Sequence, residues 1–180
     1  MERFLRAHPE TNFSLLVDNT QALLRALEEG QMDFVLIEGF FESRRYETQL
    51  FRREDFFGVC EPGHRLAGRS VSLDELYGER LILREAGSGT RAIFEDALHR
   101  LNDTLDSFES IVTIGEFETI KSLVADGLGI SFLYAPVVER ELVQGKLARF
   151  ELADVPMSGA FYFACLKDNL FSGVWAEWMQ

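Results

Sequence analysis

An α/β fold with a mainly parallel sheet is what this sequence predicts, and three observations predict it. β-like and helix-like segments alternate along nearly the whole chain, two of the helices close on glycine (Gly30 and Gly127), and most strand runs are short and apolar. Strands of that kind are buried on both faces, and parallel neighbours need the crossovers that the helices supply.

The elements follow in order. "FSLLVD" (13 to 18) reads as a strand, and "TQALLRALEE" (20 to 29) reads as a helix because Leu23, Leu24 and Leu27 share one face and Gly30 can take the left-handed cap. "DFVLIEG" (33 to 39) closes this βαβ unit as a buried strand. "FFGVCEP" (56 to 62) is a further strand, followed by a short turn of helix at "SLDEL". "RLIL" (80 to 83) hands over to a helix from about Thr90 to Leu101, in which Ile93, Phe94, Ala97, Leu98 and Leu101 form an apolar stripe. "SIVTIG" (110 to 115), "ETIKSLVADG" (118 to 127) and "ISFLY" (130 to 134) make a second strand-helix-strand unit. A helix near 137 to 143 and strands near "LARFEL" and "AFYFACL" complete the series. The turn-rich stretches "EPGHRLAGRS" (61 to 70) and "ADVPMSG" (153 to 159) are places where the chain can cross between two lobes, and two crossings make a hinge.

Composition excludes several function classes. The 180 residues carry a net charge of -12, which repels phosphate backbones, so nucleic-acid binding by this chain alone is not expected. The longest apolar run, 130 to 138, is too short for a membrane helix, and the N-terminus lacks the apolar core of a signal peptide, so a cytoplasmic location and no membrane partner are expected. Cys60 and Cys165 sit in apolar runs and read as buried thiols. His8, His64 and His99 share no ligand spacing, so neither metal nor cofactor is expected.

The chemistry lies in "REAGSGTR" (84 to 91), between a strand and a helix. Gly87 and Gly89 can turn successive N–H groups to one side, and the hydroxyls of Ser88 or Thr90 can cap the helix. Those groups and the positive helix end favour an anion. A plain capped turn would account for the glycines and Ser88 but not for Arg84 and Arg91, which add bidentate donors. Neither a Walker A loop nor a GxGxxG fingerprint is matched, and no nucleophile or acid/base set converges here, so the chain is not expected to be an enzyme.

Over nearly its full length the chain resembles the effector-binding domain of the LysR-type transcriptional regulators. The segments that carry the resemblance are 4 to 20, "LLRALEEGQMDFVLIEG" (23 to 39), "PGHRLAG" (62 to 68), "SLDELYGERLILREAGSGTR" (72 to 91) and, most specifically, "ETIKSLVADGLGISFLY" (118 to 134). The resemblance implies two Rossmann-like lobes joined by two crossover strands, as in type 2 periplasmic solute-binding proteins. The first lobe would hold residues 1 to 62 and 160 to 180, and the second residues 63 to 159. "RxxGSGT" also resembles the phosphate-gripping turn of periplasmic phosphate-binding proteins, so the implied effector is a small anionic metabolite in the cleft between lobes. By position the cleft would receive Asn19, Thr20, Glu38, Gly39, Gly87, Ser88, Gly89, Thr90, Arg91, Glu116, Phe117 and Glu118. Asn19 and Thr20 equally suit a simple helix cap, Phe117 a core position, and Glu116 and Glu118 a charged helix start.

The resemblance further implies a homo-oligomer paired through effector domains, with DNA bound only through a winged helix-turn-helix that these residues do not include. The alternative is a solute-binding protein that transports a small anion. The family's effector domain opens with a β-strand before the helix that bears "FLRAHPE", whereas this chain starts inside that helix. The first lobe is therefore expected to lack its opening strand and to leave strand edges open between 13 to 18 and 33 to 39.

Overall fold

The computed structural model describes residues 2–153 and 155–167. In chain order the elements are α1 (Glu2–Ala7), α2 (Thr20–Glu28), β1 (Val35–Glu38), β2 (Tyr46–Cys60), β3 (Ser70–Val71), β4 (Arg80–Leu83), α3 (Gly89–Arg100), β5 (Ser110–Thr113), α4 (Phe117–Ala125), β6 (Ser131–Tyr134), α5 (Ala135–Val143), β7 (Ala148–Leu152) and β8 (Ser158–Leu166).

Two long strands organise the rest. From Tyr46 to Asp55, β2 pairs antiparallel with β8, and from Phe56 onward it pairs antiparallel with β6 on one side and with β7 from Gly58. The passage between the two ends of the molecule thus lies inside β2, ahead of the turn-rich stretch 61 to 70. β8 also pairs antiparallel with β1, aligning Val35 with Ala164. Parallel pairing among the described residues is confined to β3 with β7, β4 with β5, and a bridge between Leu81 and Ile130. The α/β class is therefore met with mixed sheets. A strand that arrives from the far end runs opposite to the strands returned by local helices.

β3 to β7 gather around residues 56–60 of β2 as a second sheet, and there burial explains the apolar runs. Leu81 and Leu83 of β4 pack with Ile93, Phe94 and Leu98 of α3, while Ile82 and Leu133 pack with Ile120, Val124 and Val138 of α4 and α5. Alternate residues of one strand thus feed cores on opposite faces. Phe94 stacks on Phe132 with ring centroids 4.2 Å apart. Each such fully buried side chain contributes about 1.5–3 kcal/mol. Cys60 and Cys165 are buried free thiols.

The N-terminal end is more sparsely covered. α2 lays Leu27 over Val35 and Ile37 of β1, with Tyr46 and Ala164 completing that cluster. Behind the sheet, the cluster is Phe163 and Cys165, with Phe34 against them.

The strand expected at 13 to 18 is not formed: residues 11–19 have no regular secondary structure, and Leu15 and Val17 are 64% and 84% exposed. The stretch faces β1 across a cavity of about 780 Å³ lined by Phe13, Leu15, Val17, Phe34, Leu36 and Phe51 among others. A strand needs a neighbour for its backbone N–H and C=O groups, and no described strand stands between the two edges. The open edges expected between 13 to 18 and 33 to 39 lie along this slot. Residues 168–180, which the sequence reading assigned to the first lobe, lie outside the described residues.

Candidate functional site

Four chain segments meet where α2 and α3 begin. Each ends or starts at the sheet edge toward which helix N–H groups point, the usual place for a ligand in such folds.

Asn19 caps α2: its Oδ1 accepts the Ala22 N–H at 2.9 Å. Thr20 is buried, and its hydroxyl donates to the Glu38 carbonyl at 3.0 Å, which ties the start of α2 to the end of β1. The next N–H, of Gln21, donates to the Gly87 carbonyl at 3.2 Å. The turn before α3 is thereby fastened to α2.

The glycines allow this close approach. Gly39 has φ +80°, and a Cβ there would stand 2.8 Å from the Gly89 Cα; a Cβ on Gly89 would stand 2.4 Å from the Glu38 carbonyl oxygen. Gly87 has φ +88° and abuts the Gln21 side chain. Larger residues would force the segments apart.

The start of α3 is capped from a distance. Ser88 stands at the N-cap but makes no side-chain capping bond, and its Oγ is buried without a partner. Instead the Glu38 carboxylate accepts the Thr90 N–H at 3.0 Å and the Thr90 hydroxyl at 2.7 Å. The Tyr134 hydroxyl lies beside that carboxylate, close enough for each to shift the other's titration, but completes no hydrogen bond. Burial pushes the Glu38 carboxyl above its ordinary value, opposed by the Thr90 bonds and by the charge of Arg84. Burial, then Glu38, pushes the Tyr134 hydroxyl above its ordinary range.

Arg84 is the cation of the site. Its guanidinium grips Glu85 at 2.8 and 3.0 Å and lies 4.3 Å from the centre of the Phe117 ring. Although burial acts to raise Glu85, the Arg84 bonds hold its carboxyl below the usual range.

The remaining candidates are engaged elsewhere. Arg91 pairs through Nε with Glu95, one turn along α3, at 2.8 Å. Glu116 caps α4, accepting the N–H groups of Glu118 and Thr119, each at 2.7 Å, and those bonds hold its carboxyl low. Glu118 is exposed and pairs with Lys121.

Of the expected residues, Asn19, Thr20, Glu38, Gly39, Gly87, Ser88, Gly89 and Thr90 thus come together. Arg84, expected as a donor of the "REAGSGTR" turn, joins them, and Gln21 and Tyr134 do so unforeseen. Tyr134 had a signal in the hydroxyl that ends "ISFLY". Among the described residues no group of three or more His, Cys, Asp and Glu is placed to hold a metal, and no helix is long and apolar enough to cross a membrane.

The family model for the LysR substrate binding domain matches residues 1–179. The "Uncharacterized HTH-type transcriptional regulator YeiE" of Escherichia coli strain K12 is 33% identical over 146 residues, 81% of this chain and 49% of that protein. The HTH-type transcriptional regulator CbbR of Rhizobium meliloti is 30% identical over 164 residues, 90% of this chain and 51% of that protein. The chain spans about half the length of the curated relatives it matches. Among solved structures, the CcmR regulatory domain of Synechocystis, in complex with 2-PG, aligns with TM-score 0.82 and 23% identity over 99% of this chain and 86% of that one. The effector-binding domain of QuiR in complex with shikimate aligns with TM-score 0.78 and 19% identity, covering 96% of this chain and 81% of that one.

Proposed function

This chain belongs to the LysR substrate-binding domain family, and we propose that it is the effector-sensing part of a cytoplasmic transcriptional regulator whose effector is a small anion. The relatives named above are HTH-type transcriptional regulators, which favours regulation over solute transport or catalysis. In this reading, DNA contact belongs to a helix-turn-helix elsewhere in a longer protein, and effector domains pair to form the oligomer. In this reading the two lobes divide inside β2, with residues 46–55 in the first beside β8 and residues 56–60 in the second beside β6 and β7.

The observation that carries the anion reading is the start of α3. A buried Ser88 hydroxyl without a partner stands at the positive end of a 12-residue helix, beside two glycines and the hydroxyl of Thr90. With a net charge of -12, the protein offers an anion no general attraction, so local donors must hold it. Each charge-assisted bond contributes about 1.5–3 kcal/mol and the helix end about 0.3–1, less the cost of immobilisation, for roughly micromolar to millimolar affinity. Asn19, Thr20, Glu38, Gly39 and Gly87 to Thr90 form the site in this reading, with Arg91 next along α3, held by Glu95. Glu116, Phe117 and Glu118 stand at its rim, where Phe117 keeps Arg84 in place.

Titration calorimetry with sulfate, phosphate, short hydroxy acids and phosphoesters tests this. At least one should bind, and Ser88→Ala should weaken it about tenfold, one hydrogen bond's worth. Equal affinity in wild type and variant sinks the reading.

A further inference from the structure

We propose that Glu38 is a built-in competitor for the start of α3, and that an anion binding there takes up one proton, which settles on Glu38. The inference rests on the anion site proposed above.

A carboxylate from β1 already holds the N–H and hydroxyl of Thr90, the two donors nearest the helix end. Ser88 Oγ, buried in the same turn, is left for a ligand. An oxyanion that reaches Ser88 therefore arrives at the helix start where the half-buried Glu38 carboxylate already accepts from Thr90, and like charges brought together there favour protonation of one of them. Glu38 is held on every side: its carbonyl by Thr20, its chain by the backbone of Gly89, its carboxylate by Thr90. Swinging out would break those contacts, whereas gaining a proton turns the carboxyl into a donor toward the ligand. Burial already favours that protonated form.

The other charged or titratable groups around Glu38 do not supply the same proton. Glu85 is held ionised by its bonds to the Arg84 guanidinium. Tyr134, which also senses Glu54 of β2, titrates far above the relevant range. From α2 and α3 the neighbours are the hydroxyls of Thr20, Ser88 and Thr90, which do not titrate.

The consequence is an effector sensor that reads proton activity with its ligand. An anion that carries its own donor, such as a monoprotonated phosphate or phosphoester, brings the proton with it. A fixed dianion must take one from solvent. Sulfate is therefore the probe, because its charge does not change over the range tested. The readout is the amide NMR shift of Ser88 and Thr90 during sulfate titration of the full chain between about pH 5.5 and 8.5. In wild type the dissociation constant should rise about tenfold per pH unit in the upper part of that range, the signature of one linked proton. In Glu38→Gln it should be flat and tighter than wild type at the highest pH. Calorimetry of wild type in buffers of different ionisation enthalpy gives proton uptake without any variant, about one per sulfate bound.

A pH-independent wild-type constant, or a Glu38→Gln protein that keeps the wild-type slope, overturns the inference and leaves the anion site standing. If sulfate and phosphate move neither amide in either protein at any pH, both fall.

Discussion

α3 and α4 both start at the end of a strand, and they cap their first turns in opposite ways. α4 is satisfied locally: Glu116 accepts the N–H groups of Glu118 and Thr119, two and three residues on, and Thr119 adds its hydroxyl at 2.8 Å. α3 depends on a carboxylate 52 residues earlier in the chain, while its own N-cap Ser88 Oγ has no partner. A local cap stays formed as long as the helix does, because the same few residues supply donor and acceptor. A cap borrowed from another strand stays formed only while the two segments stay together. The second kind can therefore report on whatever changes between them.

That contrast can be broken hardest at the glycines. At Gly89 a new Cβ would meet the Glu38 carbonyl oxygen at 2.4 Å, so Gly89→Ala should destabilise the protein by about 3 kcal/mol in urea denaturation. At Gly115, before α4, the nearest atom to a new Cβ is a Glu85 oxygen 3.7 Å away, so Gly115→Ala should stay within about 0.5 kcal/mol. Equal losses at both sites would mean that the close approach is not specific to α3.

Next in size is the hydroxyl of Thr90. Thr90→Val keeps the shape but leaves the half-buried Glu38 carboxylate short of one bond, at a loss of about 2 kcal/mol by the same measurement. Pairing it with Glu38→Gln should recover part of the loss, since a neutral amide needs that donor less. Strictly additive losses in the double variant would argue against coupling.

A smaller effect is the pH dependence of stability. Because burial raises the Glu38 carboxyl above its ordinary 4.5, the native protein binds more protons than the unfolded one between those two values. Stability should therefore fall as pH rises through that window and level off above it, by about 1.4 kcal/mol for each unit of displacement. Glu38→Gln should lose that part of the profile in thermal melts across pH. The smallest effect is expected at Val17, 84% exposed beside the slot: Val17→Ser should move the melting temperature hardly at all, within about 0.5 kcal/mol.

Much of the second sheet was legible in the sequence, because both faces of its strands are covered within residues 56 to 152. "RLIL" and "ISFLY" are apolar runs since Leu81 and Leu83 look to one core and Ile82 to the other. The helix that follows "REAGSGTR" was placed within one residue of where it lies. Less legible was the first half of β2. "YETQLFRRED" alternates poorly because it is largely exposed, and only its pairing with β8 makes it a strand. "FSLLVD" misled for the converse reason: its β-like pattern is real, but a ladder needs a neighbour that no local pattern supplies. At the site, residue types and spacing pointed to the glycine turn, yet not to its occupant. That Glu38 caps α3 depends on a meeting of segments 52 residues apart, for which neither segment carries a local mark.

The two-part pairing of β2 also bears on the order in which the chain can fold as it is made. Residues 56 to 152 contain nearly all of one another's partners, so their sheet and both its helical faces can close as soon as β7 has emerged. β1 and the first ten residues of β2 are synthesised earlier, but they wait for β8, with Val35 facing Ala164 and Tyr46 facing Leu166. Such long closures are slow, because loop entropy is lost before any contact is gained. The part of the domain made first is thus completed last, and its apolar residues stay open to chaperones until β8 has emerged.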